Sequence, residues 1–143
     1  MTMKNRMNRV ARTPRVAAPP GDTPFVLRED CAQRRIHYVL NGKWTSMVLY
    51  ALSHGAMRTG QLERALPGIS KKMLTLTLRE VEAGGLVHRE VFQVVPPRVE
   101  YALTPLGEVF VEPLRALYGW ALDHADALDL LEDNLRRDRA SPA

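Results

Sequence analysis

The sequence predicts a mainly α-helical chain with one small β-ribbon, an α+β class. Three observations carry that expectation. Apolar residues recur at three- and four-residue steps in several segments divided by glycine and proline breaks. Two short alternating stretches, residues 86–92 and 99–103, flank a turn containing Pro96 and Pro97. A helical pattern then resumes after Thr104 and persists for several turns.

Residues 1–24 are rich in Arg, Ala and Pro, show no apolar periodicity and end in Pro19-Pro20-Gly21, which predicts a disordered basic tail. Such a tail is either a basic arm adding phosphate or minor-groove contacts, or simply solvated chain. The domain proper is expected over residues 25–130, with a polar C-terminal tail over 131–143. Its first helix is expected over residues 31–40, where Asp30 and Gln33 have capping-box spacing and Ile36, Val39 and Leu40 form an apolar face. Residues 44–52 form the next, with Trp44, Val48, Ala51 and Leu52 as its core stripe. Gly55 ends it, and a short helix over residues 61–66 follows with Thr59 as its cap.

Gly68 and Ser70 then introduce a helix over residues 71–83 that Gly84 and Gly85 stop. At 100° per residue, Leu74, Leu78 and Val81 share one face, flanked by Ser70 and Thr77, while Lys72, Leu76 and Arg79 lie opposite. Taken alone this is a surface helix with ordinary solvated cations. A short helix, a tight turn, a second helix and then a two-stranded ribbon is, however, the order of a winged helix-turn-helix, whose second helix enters the major groove of DNA while the wing approaches the backbone or minor groove. A ribbon this small must lean on the helices for stability.

Three ordered motifs sharpen the reading: Asn41-Gly42-Lys43-Trp44-Thr45; Leu66-Pro67-Gly68-Ile69-Ser70-Lys71-Lys72-Met73-Leu74-Thr75; and Val95-Pro96-Pro97-Arg98-Val99-Glu100-Tyr101 leading into Leu103-Thr104-Pro105-Leu106-Gly107. In order and spacing they resemble the HxlR-type winged-helix regulators of bacteria, over roughly residues 31–120. That resemblance implies a homodimeric protein that binds double-stranded DNA.

The charge distribution agrees. The net charge is +4, all of it supplied by residues 1–24, so residues 25–143 are neutral as a whole. Within them, residues 58–98 hold seven Lys or Arg against four acids, and residues 104–143 hold four against eight. Positive potential therefore gathers on the expected reading head, and phosphate repels the acidic end.

Residues expected to position the protein on phosphates are Lys43, Arg58, Thr59 and Gln61, near helix starts. Base discrimination is expected from Lys71, Lys72, Thr75, Leu76 and Arg79, and the helix cap Ser70 completes the expected DNA-contact set. The family often has polar or basic residues where this chain has Leu76 and Thr77; Leu76 either packs on a thymine methyl or is tucked against a neighbouring element. Arg98 either enters a minor groove or clamps a phosphate, or else pairs with Glu100 or Glu90.

The last helical pattern, with Thr104 as cap and Pro105 at its first position, carries more apolar surface than one small domain needs. Pro113 is expected to bend it, so that its first half packs on the domain and its second half on a partner. Ile36, Val39, Leu114, Leu117, Ala121, Leu122 and Leu128 are the expected dimer residues, with packing onto the chain's own first helix as the alternative.

Cys31 is the single cysteine, which excludes an intrachain disulfide and fits a reducing compartment. A position in the first turn of a helix, three and four residues before Arg34 and Arg35, favours its thiolate. Some members of the family the chain resembles sense oxidants or electrophiles through a cysteine near the first helix, which makes an oxidant or small-molecule effector the implied signal; inert burial is the alternative. No apolar run is long enough to span a bilayer and no secretory signal is evident, so the expected location is cytoplasmic. The four histidines stand far apart without metal-ligand spacing, and neither a phosphate-cradling glycine loop nor a serine nucleophile elbow is present. The chain is therefore not expected to be an enzyme, or to need a metal or cofactor. The competing class is a winged-helix module that binds other proteins.

Overall fold

The computed structural model describes residues 25–141, so the expected basic tail over residues 1–24 lies outside the described residues. By its contacts the chain divides into two units, one ending at Arg35 and one beginning at Ile36. The described part of the first unit holds a single turn of helix, α1 (Ala32–Arg35). The second unit holds α2 (His37–Leu40), α3 (Lys43–Leu52), α4 (Thr59–Ala65), α5 (Lys71–Ala83), β1 (Val87–Phe92), β2 (Arg98–Leu103), α6 (Pro105–Asp123) and α7 (Ala125–Ala140). It is a winged helix-turn-helix with a long helical extension.

The single helix expected over residues 31–40 is two four-residue pieces, and no side chain caps the second. The helix expected from residue 61 starts two residues earlier. Thr59 is its first residue rather than its cap, and the N–H of Arg58 donates to Gln61 Oε1 at 2.9 Å. Gln61 thus supplies the reach-back half of a capping box without the Ser or Thr that usually accompanies it.

Helix α3 is the centre of the second unit's core. Its Val48, Leu49 and Leu52 are buried with Leu62 of α4, Leu74, Leu78 and Val81 of α5, and Val111 and Leu114 of α6. Fully burying each such side chain contributes roughly 1.5–3 kcal/mol. Trp44 packs half-buried against this cluster, as its place in the core stripe predicts. Val39 is buried in the same cluster, and this corrects two expected dimer residues: Val39 and Leu114 are 3% and 1% exposed within the protomer's own core and are not free to meet a partner.

Helix α5 begins at Ser70, whose Oγ accepts the N–H of Met73 at 3.0 Å. It ends in a Schellman motif: Leu86 N–H donates to Val81 O at 2.9 Å and Gly85 N–H to Glu82 O at 3.0 Å. Gly85 takes φ +73°, a left-handed conformation in which a side chain is strained. The chain then enters β1, which pairs antiparallel with β2 from Val87 opposite Leu103 to Phe92 opposite Arg98. Beyond Val87 the strand is exposed, because the ribbon leaves the core behind. Its root has a support that the sequence pattern did not announce: Met57 and Tyr101 exchange both backbone hydrogen bonds, at 2.9 and 2.8 Å, and so add a one-residue third strand.

Thr104 caps α6 by accepting the N–H of Gly107 at 3.1 Å, with Pro105 at the first helical position. α6 continues as helix through Pro113, and a break the sequence did not announce falls at His124, between α6 and α7. The expected polar tail is also corrected, since α7 continues helically to Ala140. None of α7 is buried, and its ion pairs, Arg136 with Glu132 at 3.5 Å and with Asp133 at 3.3 Å, lie within the helix itself.

Candidate nucleic-acid interface

The periodicity of α5 decides which of its side chains face solvent. Leu74, Thr77, Leu78 and Val81 are buried, and Thr77 Oγ1 spends its proton on Met73 O at 2.8 Å. The expected reading residues Ser70, Lys71, Lys72, Thr75, Leu76 and Arg79 are all exposed. Leu76 is 49% exposed, so it is not tucked against a neighbour. None of Lys71, Lys72 and Arg79 belongs to an ion pair among the described residues, which leaves their charge available to an anion.

A second cationic feature lies where α4 faces the ribbon. A cleft of about 830 Å³ is lined by Arg58, Thr59, Gly60, Gln61 and Arg64 on one side and by residues 94–99 on the other. Three arginines, Arg58, Arg64 and Arg98, therefore share one cavity with exposed Thr59 and Gln61. Sequence reasoning singled out Arg58, Thr59, Gln61 and Arg98 but missed Arg64, although Gln61 and Arg64 are three residues apart and so lie on one helix face.

The Glu100 pairing that the sequence allowed for Arg98 is present. Its guanidinium stacks 4.5 Å from the centre of the Phe92 ring, its cross-strand neighbour, and its Nε lies 3.4 Å from Glu100 Oε1. Arg58 approaches the same carboxylate oxygen at 3.9 Å, so Glu100 stands between two arginines. The buried Arg98 Nε makes no well-angled hydrogen bond, so the 3.4 Å approach is an ion pair only. Such half-exposed pairs contribute about 1 kcal/mol or less. That is too little to withhold the guanidinium from a phosphate, but enough, with the ring stack, to hold it in place.

Lys43 opens α3 and is exposed, with its ammonium 4.7 Å from the Trp44 ring. The structure does not place it in the cleft with the arginines.

A protein-family model described as HxlR-like helix-turn-helix matches residues 39–129, which span the core, both helix-turn-helix members, the wing and α6. The chain belongs to the HxlR-like family. It is 48% identical over 88 residues, 62% of this chain and 75% of the other, to the uncharacterized HTH-type transcriptional regulator YkvN of Bacillus subtilis. Among solved structures, a MarR-family protein of Porphyromonas gingivalis superposes with a TM-score of 0.65 at 35% identity, covering 69% of this chain and 97% of that one. The redox regulator HypR in its oxidized form gives 0.62 at 39% identity, covering 65% and 96%.

Cys31 lies half-buried just before the single turn α1. That turn is far shorter than the ten-residue helix expected, so the dipole at its start is correspondingly weak. Arg34 Nη1 donates to Leu27 O at 3.4 Å. Among the described residues there is no group of three or more His, Cys, Asp or Glu side chains placed to hold a metal ion. Among the described residues no helix is long and apolar enough to cross a membrane. At the other end, Leu117 and Leu128 are exposed, Leu122 is 80% exposed, and Ile36 and Ala121 are half-buried.

Proposed function

We propose that this helix-turn-helix transcriptional regulator binds a pseudo-palindromic operator as a homodimer, reading bases with α5 and gripping phosphates with the arginine cleft. The observation that carries the reading is the division of α5. Its apolar face is consumed by the core, and Lys71, Lys72, Thr75, Leu76 and Arg79 are left exposed, the three cations among them without an ion pair among the described residues. An α-helix fits the major groove, where lysine and arginine read guanine, threonine reads several bases, and leucine contacts a thymine methyl. Arg58, Arg64 and Arg98 sit with the wing, where contacts carry register rather than sequence.

The apolar face of α6 and α7 supports the dimer. Leu117, Trp120, Leu122, Leu131 and Leu135 are all about half exposed or more, a density unusual for a surface that meets only water. A two-fold axis along these helices would repeat the reading head on the duplex, one or more helical turns away. The simplest regulatory consequence is repression by steric block. Cys31 is the candidate redox sensor, a reading supported by the likeness to HypR and to YodB of Bacillus subtilis, at 28% identity and a TM-score of 0.56.

The test is selection of duplexes from a random library, followed by anisotropy titrations across salt. A preferred two-half-site duplex should emerge, and its affinity should fall linearly with salt on logarithmic axes. Arg98→Ala should weaken binding to all sequences and reduce the salt slope by about one unit. A monomer with no preference for any duplex over random competitor would overturn the proposal.

A further inference from the structure

A second cavity lies on the other side of α4. Its volume is about 300 Å³, and its walls include Met47 and Tyr50 of α3, His54 and Met57 from the segment that follows, Leu66 after α4, and Tyr118 of α6. Among the described residues no Lys, Arg, Asp or Glu lines it. Tyr50 and Tyr118 meet edge to face at 4.7 Å, and the Tyr118 hydroxyl donates to Ser46 Oγ at 3.0 Å, so this corner is rigid. His54 stands edge-on to Tyr50 at 5.1 Å. Its Nδ1 lies 3.1 Å from the Tyr50 carbonyl, which can only accept, so Nδ1 carries the proton. In the neutral ring Nε2 is then an acceptor, and no hydrogen bond among the described residues uses it.

We propose that this cavity is an effector site for a small neutral phenol, with its ring among the methionines and tyrosines and its hydroxyl donating to His54 Nε2. Size, lining and polarity each narrow the choice. An apolar cavity of about 150 Å³ holds one benzene ring, so this one suits one or two rings. Thioethers and ring edges favour a flat, polarizable ligand over an aliphatic one. A carboxylate would lose its hydration without meeting a countercharge, whereas a single hydroxyl meets a single acceptor.

The walls belong to the elements whose relative positions set the fit to DNA. Met57 is tied to the wing root through both backbone bonds with Tyr101. Leu66 opens the turn that leads to α5, and Tyr118 lies on the helix that carries the exposed apolar face. A ligand held more tightly when these elements are spaced wrongly for a duplex must weaken duplex binding by the same factor that the duplex weakens its own. This coupling rests on the DNA-binding reading above; occupancy of the cavity does not.

Calorimetric titration of 2-naphthol into the full chain without DNA tests occupancy, with naphthalene-2-carboxylate as the charged comparator. We expect saturable binding of 2-naphthol at least about tenfold tighter than that of the carboxylate. His54→Leu, at an exposed position, should weaken 2-naphthol by about tenfold, the loss of one hydrogen bond to its acceptor. Ala65→Trp, plugging the cavity from its exposed rim, should abolish binding. If that variant melts early, His54→Leu and the comparator decide the matter. Saturating 2-naphthol should then weaken a library-selected duplex at least about fivefold in the native chain and leave the plugged variant unaffected. No saturable binding up to about 1 mM, binding indifferent to both substitutions, or a plugged variant that loses its dimer because a second copy fills the cavity would each overturn the site. Binding without any effect on duplex affinity would overturn its role as an effector site. A chain that takes up 2-naphthol yet prefers no duplex would sink the DNA-binding reading and leave the cavity's occupant standing.

Discussion

Gly107 is the position where one added methyl group tests the packing most sharply. It lies in the first turn of α6, buried against the junction between α5 and β1. A Cβ on this residue would stand 2.0 Å from Leu86 O and 3.1 Å from Leu103 Cδ2. Carbon and carbonyl oxygen approach no closer than about 3.3 Å in ordinary weak contacts, so Gly107→Ala requires a separation of more than about 1 Å between backbone segments. The Leu86 carbonyl is not free to retreat, since it accepts the N–H of Thr104 at 3.0 Å. Overpacking costs roughly 1–3 kcal/mol and the weakened hydrogen bond about 1 more, against a gain of up to about 1 from replacing helical glycine by alanine. The net expectation is a loss of about 2–3 kcal/mol. The assay is urea unfolding followed by circular dichroism at fixed protein concentration, because association would otherwise shift the midpoint. Gly119→Ala is the control, for it lies on the same helix with nothing within 4 Å of its added Cβ, and it should be neutral or stabilising by up to about 1 kcal/mol. A Gly107→Ala chain within about 0.5 kcal/mol of the original, or a control that suffers equally, would refute the reasoning.

Three further outcomes are expected. Leu76→Gln should change the preferred base at one or two positions of the selected duplex and leave the salt slope alone; an unchanged preference in a repeated selection removes the thymine contact. Cys31→Ser should keep its duplex affinity while losing any response to diamide, and a full response in the variant would show that sensing lies elsewhere. Leu122→Asp places a charge on an 80% exposed position, so it should leave the protomer folded but shift sedimentation toward the monomer and weaken the two-half-site duplex far more than a single half-site. An unchanged dimer mass would move the interface to another face.

The reading helix was legible because three signals agreed there: a serine cap, a heptad-like apolar face and a glycine pair, each now matched by a named hydrogen bond or a buried side chain. Elsewhere a single signal stood alone and misled. The spacing of Asp30 and Gln33 suggested a cap for one long helix, but the chain folds into two single turns, where tertiary packing of Val39 outweighs local pattern. A break without a sequence signal falls at His124, whose Nδ1 lies 2.8 Å from Trp120 O and whose ring stacks on Trp120 at 4.3 Å. The same apolar stripe on α6 serves the core through Val111 and Leu114 and is exposed at Leu117 and Leu122. Periodicity identifies a face but cannot say which turns of it the protomer will cover. The bond pair between Met57 and Tyr101, and the convergence of Arg64 with Arg98, join residues far apart in sequence and have no local signature.

Glu100 explains why a folded region of zero net charge can still present a phosphate-seeking surface. Left alone, Arg58 and Arg98 would repel one another across the α4 and wing junction; the shared carboxylate offsets that repulsion and holds both guanidinium groups at the cleft. Both guanidinium groups are more exposed than the Glu100 carboxylate, so a phosphate can approach them from the cleft side while the shared carboxylate keeps them in position. The cations of α5 follow the opposite logic. Among the described residues no acid is paired with them, so on the proposed reading they would exchange solvent for base edges, and an incorrect base would leave a donor unpaired. On the proposed reading, wing arginines held on a weak internal anion would supply affinity and the α5 cations discrimination, the separation that a sequence-reading protein of modest charge requires.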